Sequence, residues 1–178
     1  AAAMHAHWWE HSGLAELKWL PRLNDTRRRT NLTTVTRLGW NPLTEILDEG
    51  GLSYPEVSGD SLANEIDDML CDLSTSESTL IHSDLRADNL LFNTAGDGVM
   101  LVDWQGCSFG PSSFDITYHM IQSLSVDDRR KHESELLDYY VNSLEFFGHQ
   151  ITIDEVHKLY RSSILYSLSI ACAVPLIN

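Results

Sequence analysis

Between Thr79 and Gln105 the chain alternates short apolar runs with polar turns so closely that a hairpin is the one local topology that fits, and this stretch constrains the whole fold. Thr79-Leu80-Ile81 is short, apolar and β-prone, and it delivers His82 and Asp84 to the mouth of a loop. Leu90-Leu91-Phe92-Asn93 and Val99-Met100-Leu101-Val102 then read as two strands around the turn Thr94-Ala95-Gly96-Asp97-Gly98. Such a hairpin folds Asp103 back beside Asn89. Asp84, Asn89 and Asp103 therefore converge.

This set suits phosphoryl transfer. Magnesium prefers hard oxygen donors and takes only one or two from protein, so Asn89 and Asp103 suffice as its ligands. Asp84 is left to accept a hydroxyl proton and to aim the oxygen at the γ-phosphorus of ATP, because positioning and charge neutralisation supply most of the catalysis in this class. A bare His-x-Asp-x4-Asn also serves ordinary turns; the strand-borne Asp103 and the later Pro111-x3-Asp115 separate the two readings. Asp115 itself is well placed to cap a helix beginning near Phe114. Arg86 either approaches a phosphate or pairs with Asp88.

The spacing His82-x-Asp84-x4-Asn89 with a downstream Asp103 resembles the catalytic core of protein-kinase-like enzymes. The wording Ile81-His82-Ser83-Asp84-Leu85-Arg86-Ala87-Asp88-Asn89-Leu90-Leu91-Phe92 resembles the aminoglycoside phosphotransferase, choline kinase and ecdysteroid kinase-like superfamily, as does Phe109-Gly110-Pro111-Ser112-Ser113-Phe114-Asp115-Ile116 after Asp103-Trp104-Gln105. The resemblance implies that Asp84 is the catalytic base, that Asn89 and Asp103 are metal ligands, that Asp115 is structural and that His82 orients the loop. Ser83 stands where glycine is common, a small-for-small change. The implied fold is α+β, mostly α: the large C-terminal lobe of the kinase-like fold as a single domain over residues 1–178, with a helical platform and a small β-hairpin.

The small lobe's signatures are not visible. There is no G-x-G-x-x-G, and Lys18, Lys131 and Lys158 all sit in segments that read as helical. The chain opens Ala1-Ala2-Ala3-Met4 without a capping residue, while Met4 and Trp8 already keep helical spacing, so a start inside a helix of a larger protein is expected. The nucleotide-binding lobe is then absent, and the 178 residues alone are expected to bind ATP poorly and turn over little.

Twelve basic residues against twenty-six acidic ones give a net charge of -14, which argues against nucleic acid. By steering, that charge favours a cationic hydroxyl substrate such as an aminocyclitol or a choline-like amine. Arg27-Arg28-Arg29 reads as a solvated run in a loop. Cys71, Cys107 and Cys172 have no C-x-x-C spacing, and Cys71 reads as core. The longest apolar stretch, residues 164–177, is broken by serines and too short to span a bilayer, so no membrane partner is expected and a cytoplasmic location, with its ATP, is. His5, His7 and His11 read as surface or packed residues, and Trp8, Trp9 and Trp19 as packing anchors.

The remainder reads as helix. Leu62, Ile66, Met69, Leu70 and Leu73 keep helical spacing, and a helix is expected from Phe114 to Leu124. The next one presents Leu136, Tyr140, Leu144 and Phe147 and ends at Gly148; another opens with the capping box Thr152-Ile153-Asp154-Glu155 and presents Val156, Leu159 or Tyr160, Ile164 and Leu168. Pro175 reads as a helix stop. Residues 21–59, rich in Thr, Asn and Gly, suggest only a short helix at Leu43 to Leu47. A catalytically silent kinase-like scaffold and a magnesium-dependent phosphohydrolase are the competing readings of the same residues.

Overall fold

The computed structural model describes residues 1–177, Ala15 by its backbone alone. It is mostly helical, in the order α1 (Ala2–Trp8), α2 (Ser12–Glu16), α3 (Thr26–Glu49), α4 (Gly59–Leu73), β1 (Thr79–Ile81), β2 (Leu90–Phe92), β3 (Val99–Leu101), β4 (Ser108–Gly110), α5 (Ser113–Ser123), α6 (Val126–Phe146), α7 (Ile153–Ala171) and α8 (Val174–Ile177). This is compatible with the expected large lobe. The β2–β3 hairpin forms with Leu90 opposite Leu101 and Phe92 opposite Val99. A second antiparallel pair, β1 with β4, was not legible, because Ser108-Phe109-Gly110 carries no strand pattern of its own.

Two apolar clusters hold the helices. One gathers Leu23, Trp40, Ile66, Leu70, Ile81, Phe114 and Tyr166 between α3, α4, α5 and α7. The other joins Met120, Leu137, Tyr140, Leu144, Val156 and Tyr160, with Ala6 and Trp9 of the N-terminal segment packed against it. Trp9 stacks on His149 with ring centroids 3.7 Å apart and donates its Nε1–H to Glu77. Trp19 is no anchor: it is 68% exposed.

The largest departure from the sequence is α3, a 24-residue helix where only a short one was expected. The Asp25 side chain caps it, accepting the backbone N–H groups of Arg27 and Arg28, so the arginine run forms its first turn and not a loop. Cations at a helix N-terminus oppose the macrodipole, worth a few tenths to about 1 kcal/mol each. Tertiary contacts outweigh that: Arg29 makes a two-pronged pair with Asp67, and Arg28 reaches across to Ser108 and Gly106.

The α4 pattern, the α7 capping box and the left-handed Gly148 (φ 87°) fall where the sequence puts them. Two faces are rotated. In α6 the buried residues are Leu137, Tyr140 and Leu144, while Leu136 and Phe147 stay partly or wholly exposed. In α7 the buried side is Val156, Tyr160, Ser163, Tyr166, Ser167 and Ser169, with Ile164 turned outward. Cys71 is only half-buried. Pro175 starts a helix instead of stopping one, sitting in the first turn of α8 where its missing N–H costs nothing. Ile153–Ile177 does have the length and apolar composition of a bilayer-crossing helix, more than its serines suggested. About a third of that stretch is buried, and its buried side chains enter both clusters.

Candidate active site

The loop after β1 is held by one carboxylate. Asp115 is fully buried, and its two oxygens accept the backbone N–H groups of His82 and Ser83, both at 2.7 Å. It lies inside α5 and caps nothing, contrary to the sequence reading; Ser112 occupies the cap position. The His5 ring of α1 completes the clamp, with Nε2 at 3.2 Å from Asp115 and Nδ1 at 2.8 Å from the Tyr140 hydroxyl. An Nε2–H tautomer satisfies both: it donates to the carboxylate and accepts from the phenol. Burial pushes the Tyr140 phenol well above its ordinary range, which keeps it a donor.

His82 spans the gap to the hairpin, consistent with a loop-orienting part. Its Nε2 donates to the Val102 carbonyl at 2.9 Å and its ring lies against Trp104 at 4.7 Å. Ser83 adopts a left-handed backbone (φ 65°), held by its N–H on Asp115 and by Oγ at 2.8 Å from Ser108 Oγ.

Asn89 is 5% exposed, and its Nδ2 donates to the Asp84 carbonyl (2.8 Å) and to Asp84 Oδ2 (3.1 Å). Both partners are acceptors, which fixes the amide orientation and leaves Oδ1 as its open oxygen. The Val102 N–H donates to the Asn89 carbonyl at 3.1 Å, so the hairpin returns the chain beside Asn89 one residue before Asp103. Asp103 is exposed and itself left-handed (φ 64°, ψ 60°), a conformation Asp tolerates better than most residues. The structure thus brings Asp84 against Asn89 directly and Asp103 next to Asn89 along the backbone. Among the described residues no group of three or more His, Cys, Asp or Glu side chains forms a metal cage. Asn89 ends the turn before β2 and Asp103 lies two residues past the end of β3, not on the strand as the sequence suggested; an amide oxygen and a carboxylate at this end of the hairpin are nonetheless a hard-oxygen pair of the kind magnesium accepts from protein.

Asp84 opens into a cavity of about 290 Å³ lined also by Arg28, Arg86, Tyr118 and Tyr166. Arg86 pairs loosely with Asp84 (3.7 Å), not with Asp88. Burial first, then the Asp84 charge, pushes the Tyr118 phenol well up, so a protonated hydroxyl faces this carboxylate. Tyr118 and Arg28 are the neighbours that sequence reasoning missed. Arg28 was visible in the basic run, but nothing local says that it turns inward. Cys107, four residues after Asp103, has its thiol pushed up by burial, which disfavours the reactive thiolate.

The sequence profile of the ecdysteroid kinase-like family matches residues 55–150, more than half of the chain and all of Asp84, Asn89, Asp103 and Asp115. The chain belongs to the ecdysteroid kinase-like family. An uncharacterized kinase-like protein of Caenorhabditis elegans is 33% identical over 86 residues, covering 47% of this chain and 23% of that relative. This ecdysteroid kinase-like chain therefore matches less than a quarter of the length of that relative. The matched family segment contains the loop, the hairpin and the Asp115 and Tyr140 members of the clamp, whereas His5 and α3 with Arg28 lie outside it.

Proposed function

We propose that the chain carries the acceptor and metal side of a small-molecule kinase that transfers the γ-phosphoryl group of ATP to an alcohol. Membership in a kinase-like family supports the reaction class. The observation that carries the finer reading is the Asn89 side chain tied to both the carbonyl and the carboxylate of Asp84. These two hydrogen bonds from the amide to one residue hold a carboxylate and an open amide oxygen in fixed register.

In this reading Asp84 accepts the hydroxyl proton and orients the oxygen, Tyr118 steadies the carboxylate, and Asp115 keeps the loop from relaxing out of its left-handed turn. Asn89 and Asp103 hold magnesium, which when bound neutralises phosphate charge. The nucleotide lobe is supplied from outside these residues, and a cytoplasmic site follows from the need for ATP.

The test uses the full-length protein with ADP release as the readout. Asp84→Asn is expected to lower kcat by several orders of magnitude with nucleotide affinity unchanged, because it removes a base and no phosphate contact. Asp103→Ala is expected to weaken Mg-ATP binding itself, by roughly tenfold or more. Wild-type turnover in the first variant, or an unchanged magnesium titration in the second, removes the assigned role. No turnover in the wild type with any hydroxylated acceptor, while ligands still bind, favours the silent scaffold.

A further inference from the structure

A cavity of about 920 Å³ opens between the segment preceding α3, the first turns of α3 and Gln105, two residues after Asp103. Lys18, Arg22, Arg27 and Arg28 all line it. They are four of the twelve Lys and Arg residues in a chain of net charge -14, so their convergence runs against the composition. Among the described residues none of the four is paired with a carboxylate. Asp25, the one acid in the lining among the described residues, accepts the backbone N–H groups of Arg27 and Arg28 through Oδ1, so four cations face a single carboxylate there. Two of the cations are held in place: Arg22 lies 4.8 Å from the centre of the Phe109 ring, and Arg28 is bound to Ser108 and Gly106.

Unpaired like charges gathered in one cleft repel one another, and an anionic ligand removes that cost. The rest of the lining mixes apolar Trp19, Leu20 and Tyr166 with polar Asn24, Asn31 and Gln105, and the volume is that of a site for a medium-sized organic molecule. This cavity adjoins the smaller one at Asp84: Arg28, Gln105 and Tyr166 line both. The whole-chain charge pointed to a cationic substrate; the cleft next to the candidate base has the opposite sign.

We infer that the acceptor is an amphiphilic alcohol carrying a carboxylate, sulfate or phosphate, its anion seated among Lys18, Arg22 and Arg27 and its hydroxyl reaching Asp84 past Arg28 and Tyr166. The hydroxyl half rests on the kinase reading; the anion half is a binding property that stands by itself.

The experiment compares anilinonaphthalene sulfonate with its uncharged parent, phenylnaphthylamine, on the full-length protein, following quenching of tryptophan fluorescence. The pair shares one aromatic body and differs in the sulfonate. The sulfonate is expected to bind about tenfold tighter, and the preference to fall below about threefold in K18Q/R27Q. Both side chains are exposed, so folding should survive; K18Q alone, read by the same ratio, covers a failure of the double variant. Equal binding of the two probes, or a preference untouched by the substitutions, overturns the anion site. Displacement of the sulfonate by Mg-ADP assigns the cations to the nucleotide and also overturns the proposal. ADP release with hydroxylated anions and their neutral esters, run in parallel, separates the two halves. Preference without any turnover overturns the kinase reading and with it the hydroxyl half, whereas equal kcat/KM for anion and ester overturns the anion half.

Discussion

Ser83 holds φ at 65° between the two residues that matter most in the loop, His82 and Asp84. A left-handed backbone costs a non-glycine residue about 1–3 kcal/mol, and here the Asp115 carboxylate and the Ser108 hydroxyl offset it. Ser83→Gly removes the strain and loses one hydroxyl bond worth about 1 kcal/mol, so its stability should stay within about 1 kcal/mol of the parent. Ser83→Val adds little volume but is β-branched, and such a residue is an outlier at positive φ; it should cost about 3 kcal/mol in urea unfolding. If valine is tolerated as well as glycine, the backbone assignment is wrong. The sequence showed that a small residue stands here in place of glycine but not why: the requirement is a dihedral angle, not a volume. Likewise Asp115 was legible as structural, while its partners were not, because the N–H groups it holds lie 33 and 32 residues away.

Helices α4 and α7 were legible because local signals and tertiary role agree: an apolar stripe in one, a reciprocal Thr152–Glu155 cap in the other. Helix α3 was not, since Thr, Asn and Gly are weak helix formers and its stability comes from elsewhere. Thr33 and Thr36 return their hydroxyls to the carbonyls of Arg29 and Leu32 at 2.9 and 2.8 Å, which lets them be buried at little cost. The serine side of α7 hides its role in the same way, with Ser163 bonded to Leu159 and facing Ser113. Gly39 marks where α3 meets the end of α7: a Cβ built there would stand 1.8 Å from the Cys172 carbonyl oxygen. Alanine would gain about 1 kcal/mol in helix propensity. It would also force two backbones apart, and overpacking costs about 1–3 kcal/mol where only side chains must yield. The expected net effect of Gly39→Ala is a loss of at least about 2 kcal/mol by urea denaturation; a stabilised variant would show that the helices do not approach so closely.

Net charge is a property of the whole molecule, and a sum of -14 does not say where four of the cations gather. Its pH dependence is set instead by a few buried groups. His119 and His149 are held below their ordinary value of 6.5 by burial, and His149 Nε2 is buried without a hydrogen-bond partner. The unfolded chain takes up these protons first, so stability should fall as pH drops below about 6.5. Asp67 beside Arg29 and Glu155 beside Thr152 are held below the ordinary carboxylate range, so what they contribute is present above about pH 4.5 and is lost through more acid values. On the other side burial raises Cys172 from 9.0 to about 11, and Tyr160 and Tyr166 from 10.0 to about 12. For these acids the folded state keeps its protons longer than the unfolded one, so their contribution is full below pH 9.0 and disappears as pH rises through about 11 to 12. Tm measured by calorimetry across the range should therefore be flat between about pH 7 and 9 and decline on both sides. A Tm that climbs on acidification from 7 to 5 would mean that the negative surface charge, relieved by protonation, outweighs the two buried histidines.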